Sequence, residues 1–63
     1  KDYKGSIDDC SKAIQINSSY GYSYLNRGIA KEMIRDNSGA CADWIKAAEL
    51  GVESAKNYTG DCK

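Results

Sequence analysis

Histidine, proline and phenylalanine are absent from this chain of 63 residues. Without histidine, the commonest general base is missing, and so are the Ser–His and Cys–His nucleophile pairs. Nine basic and nine acidic side chains cancel, so the net basic surface that nucleic acid binding requires is lacking. No apolar run approaches the roughly 20 residues that span a bilayer. We therefore expect neither a nucleic acid nor a membrane as a partner.

The carboxylates and glycines form no pattern typical of an active site. The acidic side chains are dispersed and mostly fall on polar helix faces, which indicates a solvated surface rather than an acid–base pair. There is no glycine-rich phosphate loop and no C-x-x-C pair, so neither a nucleotide site nor a zinc site is predicted. We predict no enzymatic activity, no cofactor and no metal.

Apolar residues recur instead at helical spacing. Asp2 is predicted to cap the first helix at its N-terminus, and Ser18 or Ser19 the second. Gly51 is predicted to end the third helix. The predicted helices run over about Tyr3–Ile16, Tyr20–Ile34, Ser38–Leu50 and, in a shorter fourth element, Glu53–Asp61.

The first predicted helix repeats in the third, at a constant offset along the chain. This offset of about 34 residues is the period of a helix–turn–helix repeat. Copies of such a repeat stack to bury a common core. Identical residues recur at five positions: Asp2 and Asp36, Gly5 and Gly39, Asp9 and Asp43, Lys12 and Lys46, Ala13 and Ala47.

The segment from Gly21 to Ser54 resembles one full tetratricopeptide repeat. Tyr24 stands at the position of the family's first large aromatic, and Gly28 at the small site where the two helices cross. The segment 26–31 resembles bacterial members of the family, and the sequence leaves the compartment open between the cytoplasm and others. The small–aromatic–small pattern of the second helix is matched by Ala40, Trp44 and Ala47. Two departures are Arg27 for a leucine and Lys31 for a tyrosine.

This resemblance implies an all-α fold of antiparallel helix–turn–helix repeats, a fragment of an α–α superhelix. Residues 1–19 resemble the second helix of a preceding repeat, residues 20–51 one full repeat, and residues 52–63 a C-terminal capping helix. The implied function is a protein-interaction scaffold that binds a peptide or partner protein through its concave face. The alternative is a structural or self-associating module, either part of a longer array or dimerising through the unpaired first helix.

The resemblance places the partner-binding surface on the first helix of the full repeat. An alternative for Leu25 and Ile29 is that they pack internally against neighbouring helices. The positions implied are Tyr22, Leu25, Asn26, Ile29, Glu32 and Met33.

Two of the three cysteines are predicted to face each other. If the last two helices form an antiparallel hairpin that turns near Gly51, Cys41 lies opposite Cys62 and Trp44 opposite Tyr58. The cysteines then form a disulfide if the sulfur atoms come close enough. The alternative is a pair of small buried apolar side chains, since a bacterial cytosol would keep the thiols reduced. Cys10 is expected to pack within the first helix's apolar stripe. Thiol chemistry at the facing pair is a further alternative function.

Overall fold

A computed structural model describes residues 2–62 and shows three α-helices followed by two short 3-10 helices. The predicted all-α class is confirmed, and no strand occurs in residues 2–62. In this same range, no helix is both long and apolar enough to cross a membrane. The helices are α1 (Tyr3–Ile16), α2 (Gly21–Met33) and α3 (Asn37–Glu49), and the 3-10 helices are Glu53–Asn57 and Thr59–Asp61.

α1 and α3 begin with the same N-terminal cap, in keeping with the internal repeat. The Asp2 carboxylate accepts a hydrogen bond from the Gly5 amide at 2.9 Å, and the Asp36 carboxylate accepts one from the Gly39 amide at 3.1 Å. A Cβ atom at either glycine would require the capping carboxylate to shift. The prediction that Asp2 caps α1 is confirmed.

The start of α2 differs from the prediction. Neither Ser18 nor Ser19 caps it, because Tyr20 occupies the cap position and its side chain makes no capping hydrogen bond. The Ser19 amide donates instead to the Asn17 side chain at 3.1 Å, which makes a local turn. α3 ends as predicted, since Gly51 follows the cap residue with a φ of 95°, a value that favours glycine.

The core lies between α2, α3 and the C-terminal 3-10 segment. α2 and α3 run antiparallel, because Gly21 approaches Ala47 and Gly28 approaches Trp44 and the Ala40 carbonyl. A Cβ atom at Gly28 would lie 2.5 Å from Trp44 Nε1, so the helices cross closely there, as the resemblance implied. α1 contributes no buried residue. The core cluster is Leu25, Ala40, Trp44, Ala47, Val52 and Ala55.

The C-terminal segment is a pair of 3-10 helices rather than the single short α-helix that was predicted. A segment of this length has little helical stability of its own, so its contacts decide its conformation. Ala55 is buried against the core, Tyr58 stacks on Trp44 with ring centroids 4.9 Å apart, and Cys62 is disulfide-bonded to Cys41. The two cysteine Cα atoms are 5.6 Å apart.

Candidate functional site

An open groove of about 370 Å³ runs between α1 and α2. Its walls are mostly apolar, and a carboxylate, a hydroxyl, a thiol and a carboxamide also face it. Ala30 forms part of the floor, since it is buried. The groove, called the α1–α2 groove below, is lined by Tyr3, Ser6, Asp9 and Cys10 from α1 and by Asn26, Ile29 and Ala30 from α2.

Two of the predicted partner-binding residues, Asn26 and Ile29, line this groove. Tyr22 and Met33 lie on the same stripe of α2, because steps of four, three and four residues return to one face of a helix. Tyr22 and Met33 are 50% and 52% exposed. The four residues therefore form a continuous stripe along α2, with the groove at its centre.

The remaining two predicted residues lie elsewhere. Leu25 is only 8% exposed and belongs to the core cluster with Trp44, so its side chain is not available at the surface. This outcome matches the alternative of internal packing. Ile29 also packs partly against the core. Glu32 is exposed but does not line the groove.

The α1 wall of the groove was not predicted as a binding surface. Tyr3, Ser6 and Asp9 received no functional interpretation, and Cys10 was expected to pack within the apolar stripe. Cys10 is half-buried and lines the groove. Burial raises the pKa of its thiol, although the positive charge of Arg27 opposes this effect. Burial thus disfavours the thiolate, which is the nucleophilic form of a cysteine.

A charged cluster behind the groove holds the three helices together. The Arg27 guanidinium donates two hydrogen bonds to the Asp43 carboxylate, at 2.9 Å from Nε and 2.7 Å from Nη2. It also donates to the Ser11 hydroxyl of α1 at 3.1 Å, and Lys31 Nζ lies 3.2 Å from Asp43 Oδ2. The hydrogen bonds to Asp43 raise the pKa of Arg27 further. Arg27, which stands where the tetratricopeptide pattern has a leucine, thus links α2 to both neighbours.

The internal repeat is the sequence feature that could have indicated the α1 wall of the groove. Four residues of α3 are buried beneath α2 and the rest of the core. Their counterparts one repeat earlier lie on α1, where none is buried. The counterparts of Ala40, Asp43, Trp44 and Ala47 are Ser6, Asp9, Cys10 and Ala13. The face that α3 buries is therefore open on α1, and three of its four residues line the groove.

Comparison with known proteins gives one informative similarity. No family model matches the chain, and no solved structure matches it significantly. The chain is 39% identical over 59 residues to RNA polymerase II-associated protein 3 from Xenopus tropicalis. The alignment covers 90% of this chain and 9% of the relative, so the chain spans about a tenth of that protein's length. The bacterial character expected from residues 26–31 gains no support from this relative.

Proposed function

We propose that this chain is a tetratricopeptide-type helical module that binds a polypeptide in the α1–α2 groove and along the exposed stripe of α2. The observation that carries the proposal is an open groove beside a helix that buries none of its residues. A helix normally gains its stability by burying an apolar face against a neighbour. The open face of α1 is therefore suited to a further polypeptide.

The chemistry of the surface suits a polypeptide ligand. Tyr22, Ile29 and Met33 offer aromatic, branched and flexible apolar contacts along one line. Asn26 stands between them and both donates and accepts hydrogen bonds, as a peptide backbone requires. Apolar anchors with a central polar group are typical of interfaces in which a few residues supply most of the affinity.

The relative's name supports a role in protein association, since that protein is described as associated with RNA polymerase II. For this chain we propose only the general class, protein binding without catalysis. Burial, which disfavours the Cys10 thiolate, and the lack of histidine favour binding over chemistry at the groove.

Selection from a peptide display library against the folded chain tests this proposal. The affinity of a selected peptide is then measured by fluorescence anisotropy for two matched variants. Asn26→Arg is expected to weaken binding at least about ten-fold, because it places a long cation in the groove. Asn57→Arg makes the same change at an exposed position outside the groove and should leave the affinity unchanged. Equal affinities of the two variants, or no selectable peptide, would refute the proposal.

A second candidate is self-association through α1. Ile16 at the end of this helix is 87% exposed, and no residue of α1 is buried. Sedimentation velocity over a broad range of chain concentration separates the candidates. A constitutive dimer that Ile16→Ser dissociates would favour self-association, whereas a monomer that binds selected peptides favours the first candidate.

A further inference from the structure

We propose that the Cys41–Cys62 disulfide is a redox-controlled latch, which holds residues 58–62 against α3 when it is closed and releases them when it is reduced. Residues 58–62 are called the C-terminal strap below. The latch is independent of the proposed function, because no residue of the strap lines the α1–α2 groove.

The segment that leads to the strap is anchored to the helices by burial. Val52 and Ala55 are buried and belong to the core cluster. The Val52 amide also donates a hydrogen bond to the Ala47 carbonyl at 3.0 Å. These contacts form without the disulfide, so this segment is expected to stay in place when the bond opens.

The strap is attached to α3 far more weakly. Within the part of the strap that the structure describes, every hydrogen bond stays inside the C-terminal segment and none reaches α2 or α3. The Tyr58 amide donates to the Ala55 carbonyl, and the Cys62 amide donates to the Thr59 carbonyl, each at 3.0 Å. Tyr58 stacks on Trp44, but its side chain is exposed on the outer side. The disulfide is therefore the strongest link between the strap and α3.

The balance between ordering and contact predicts that the strap detaches once the bond is broken. Each ordered residue loses backbone conformational entropy, and this cost accumulates over the five residues of the strap. A single aromatic stack on a partly exposed ring offsets only a fraction of the cost. With the bond closed, the strap is a short loop between Tyr58 and Cys62, and most of its freedom is already lost.

The disulfide lies where a reductant can reach it, since Cys41 and Cys62 are both half-buried rather than enclosed. A thiolate of a dithiol reductant attacks one sulfur, forms a mixed disulfide and displaces the other cysteine, which takes up a proton. The second thiol of the reductant then displaces the remaining cysteine. Two electrons and two protons pass to the protein, and the reductant becomes a disulfide. Release of the strap then lowers the effective concentration of one thiol at the other, which favours the reduced form.

NMR relaxation of the isotope-labelled chain, before and after addition of dithiothreitol, tests the latch. On reduction, the order parameters of the Tyr58, Thr59 and Cys62 amides are expected to fall from about 0.85, typical of rigid backbone, to below about 0.6. The order parameters of α2 and α3 should stay near the rigid value of about 0.85.

Two variants serve as controls. The double variant Cys41→Ala/Cys62→Ala lacks the bond, so its strap should match that of the reduced chain whether or not dithiothreitol is present. Cys10→Ser keeps the disulfide and removes the free thiol, so it should respond to dithiothreitol as the unaltered chain does.

Three results would each overturn the latch. Equal order in the oxidised and reduced strap would show that the Tyr58–Trp44 stack holds it alone. Loss of order throughout α2 and α3 on reduction would make the disulfide a staple of the whole fold. A bond that stays closed in a large excess of reduced glutathione would be permanent. None of these results bears on the groove, whose peptide affinity should be the same in both redox states.

Discussion

The substitution Asp43→Ala gives the sharpest test of how the three helices are held together. It removes the acceptor of two hydrogen bonds from Arg27 and of the contact with Lys31, and it leaves two cations side by side. Breaking a fully buried ion pair costs about 3–5 kcal/mol. Because the two cationic side chains are 20% and 21% exposed, water partly replaces the lost partner, and we expect a loss of about 2–3 kcal/mol.

Asp9→Ala is a matched control, because Asp9 is the counterpart of Asp43 in the internal repeat. Both substitutions replace aspartate by alanine at the same point of a helix, so the gain in helix propensity is shared and cancels. Asp9 is exposed, and we expect its substitution to change the free energy of unfolding by less than about 0.5 kcal/mol. For a domain of this size, about 2–3 kcal/mol corresponds to a melting temperature lower by roughly 10–20 °C.

Urea and thermal unfolding, followed by circular dichroism and Trp44 fluorescence, measure both variants. We expect Asp43→Ala to unfold at a lower urea concentration and a lower temperature than Asp9→Ala and the unaltered chain. Indistinguishable unfolding midpoints for the two alanine variants would show that the Arg27–Asp43 cluster adds nothing beyond an exposed carboxylate.

Three further predictions concern the crossing point and the cysteines. Gly28→Ala should lower the free energy of unfolding, measured in urea, by about 1–2 kcal/mol, because the clash with the core outweighs the gain in helix propensity. Gly60→Ala is the control, since open space surrounds Gly60, and it should cause no such loss. A Gly28→Ala variant more stable than the unaltered chain would contradict this prediction. Under non-reducing conditions the intact mass should show Cys41 and Cys62 joined in a disulfide. Reduction should lower the free energy of unfolding by about 3 kcal/mol, because the bond closes a loop with a sequence separation of 21. Two free thiols in the native chain would be the contrary result. Burial raises the pKa of the Cys10 thiol, so the thiol keeps its proton to higher pH in the folded chain than in the unfolded chain. Its contribution to the free energy of unfolding is therefore present below the ordinary thiol pKa and is lost as the pH rises through the raised pKa. Iodoacetamide at mildly alkaline pH should therefore label Cys10 more slowly in the native chain than in urea, and faster native labelling would be inconsistent with this.

Local signals in the sequence predicted the elements well where the physics is local. Asp2 predicted the start of α1 and Gly51 the end of α3, whereas the Asp36 cap of α3 was not predicted. The antiparallel register of the C-terminal hairpin brought together the residues expected to face each other, since Trp44 stacks on Tyr58. These features depend on hydrogen bonds and spacings within a few residues or across one turn.

The composition of the proposed binding surface was harder to predict, because helical periodicity shows that residues share a face but not what the face packs against. Asn26 and Leu25 are neighbours in sequence, yet one lines the groove and the other lies in the core. The rotation of α2 between α1 and α3 decides this difference. Arg27, an apparent departure from a leucine position, acquires its role only through Asp43 and Ser11, which lie on two other helices.

The sequence by itself determined the three helices, the aspartate cap of α1, the repeat distance between α1 and α3, and the facing positions of the two cysteines. Each of these follows from local backbone chemistry or from spacing. The tertiary structure alone decided that the C-terminal segment forms 3-10 helices, that Leu25 turns inward and that equivalent faces of α1 and α3 have different fates. The physical reason is that a residue becomes buried only when a second surface packs against it. The same aspartate is a paired, buried charge where α2 covers it and an exposed carboxylate where no helix does.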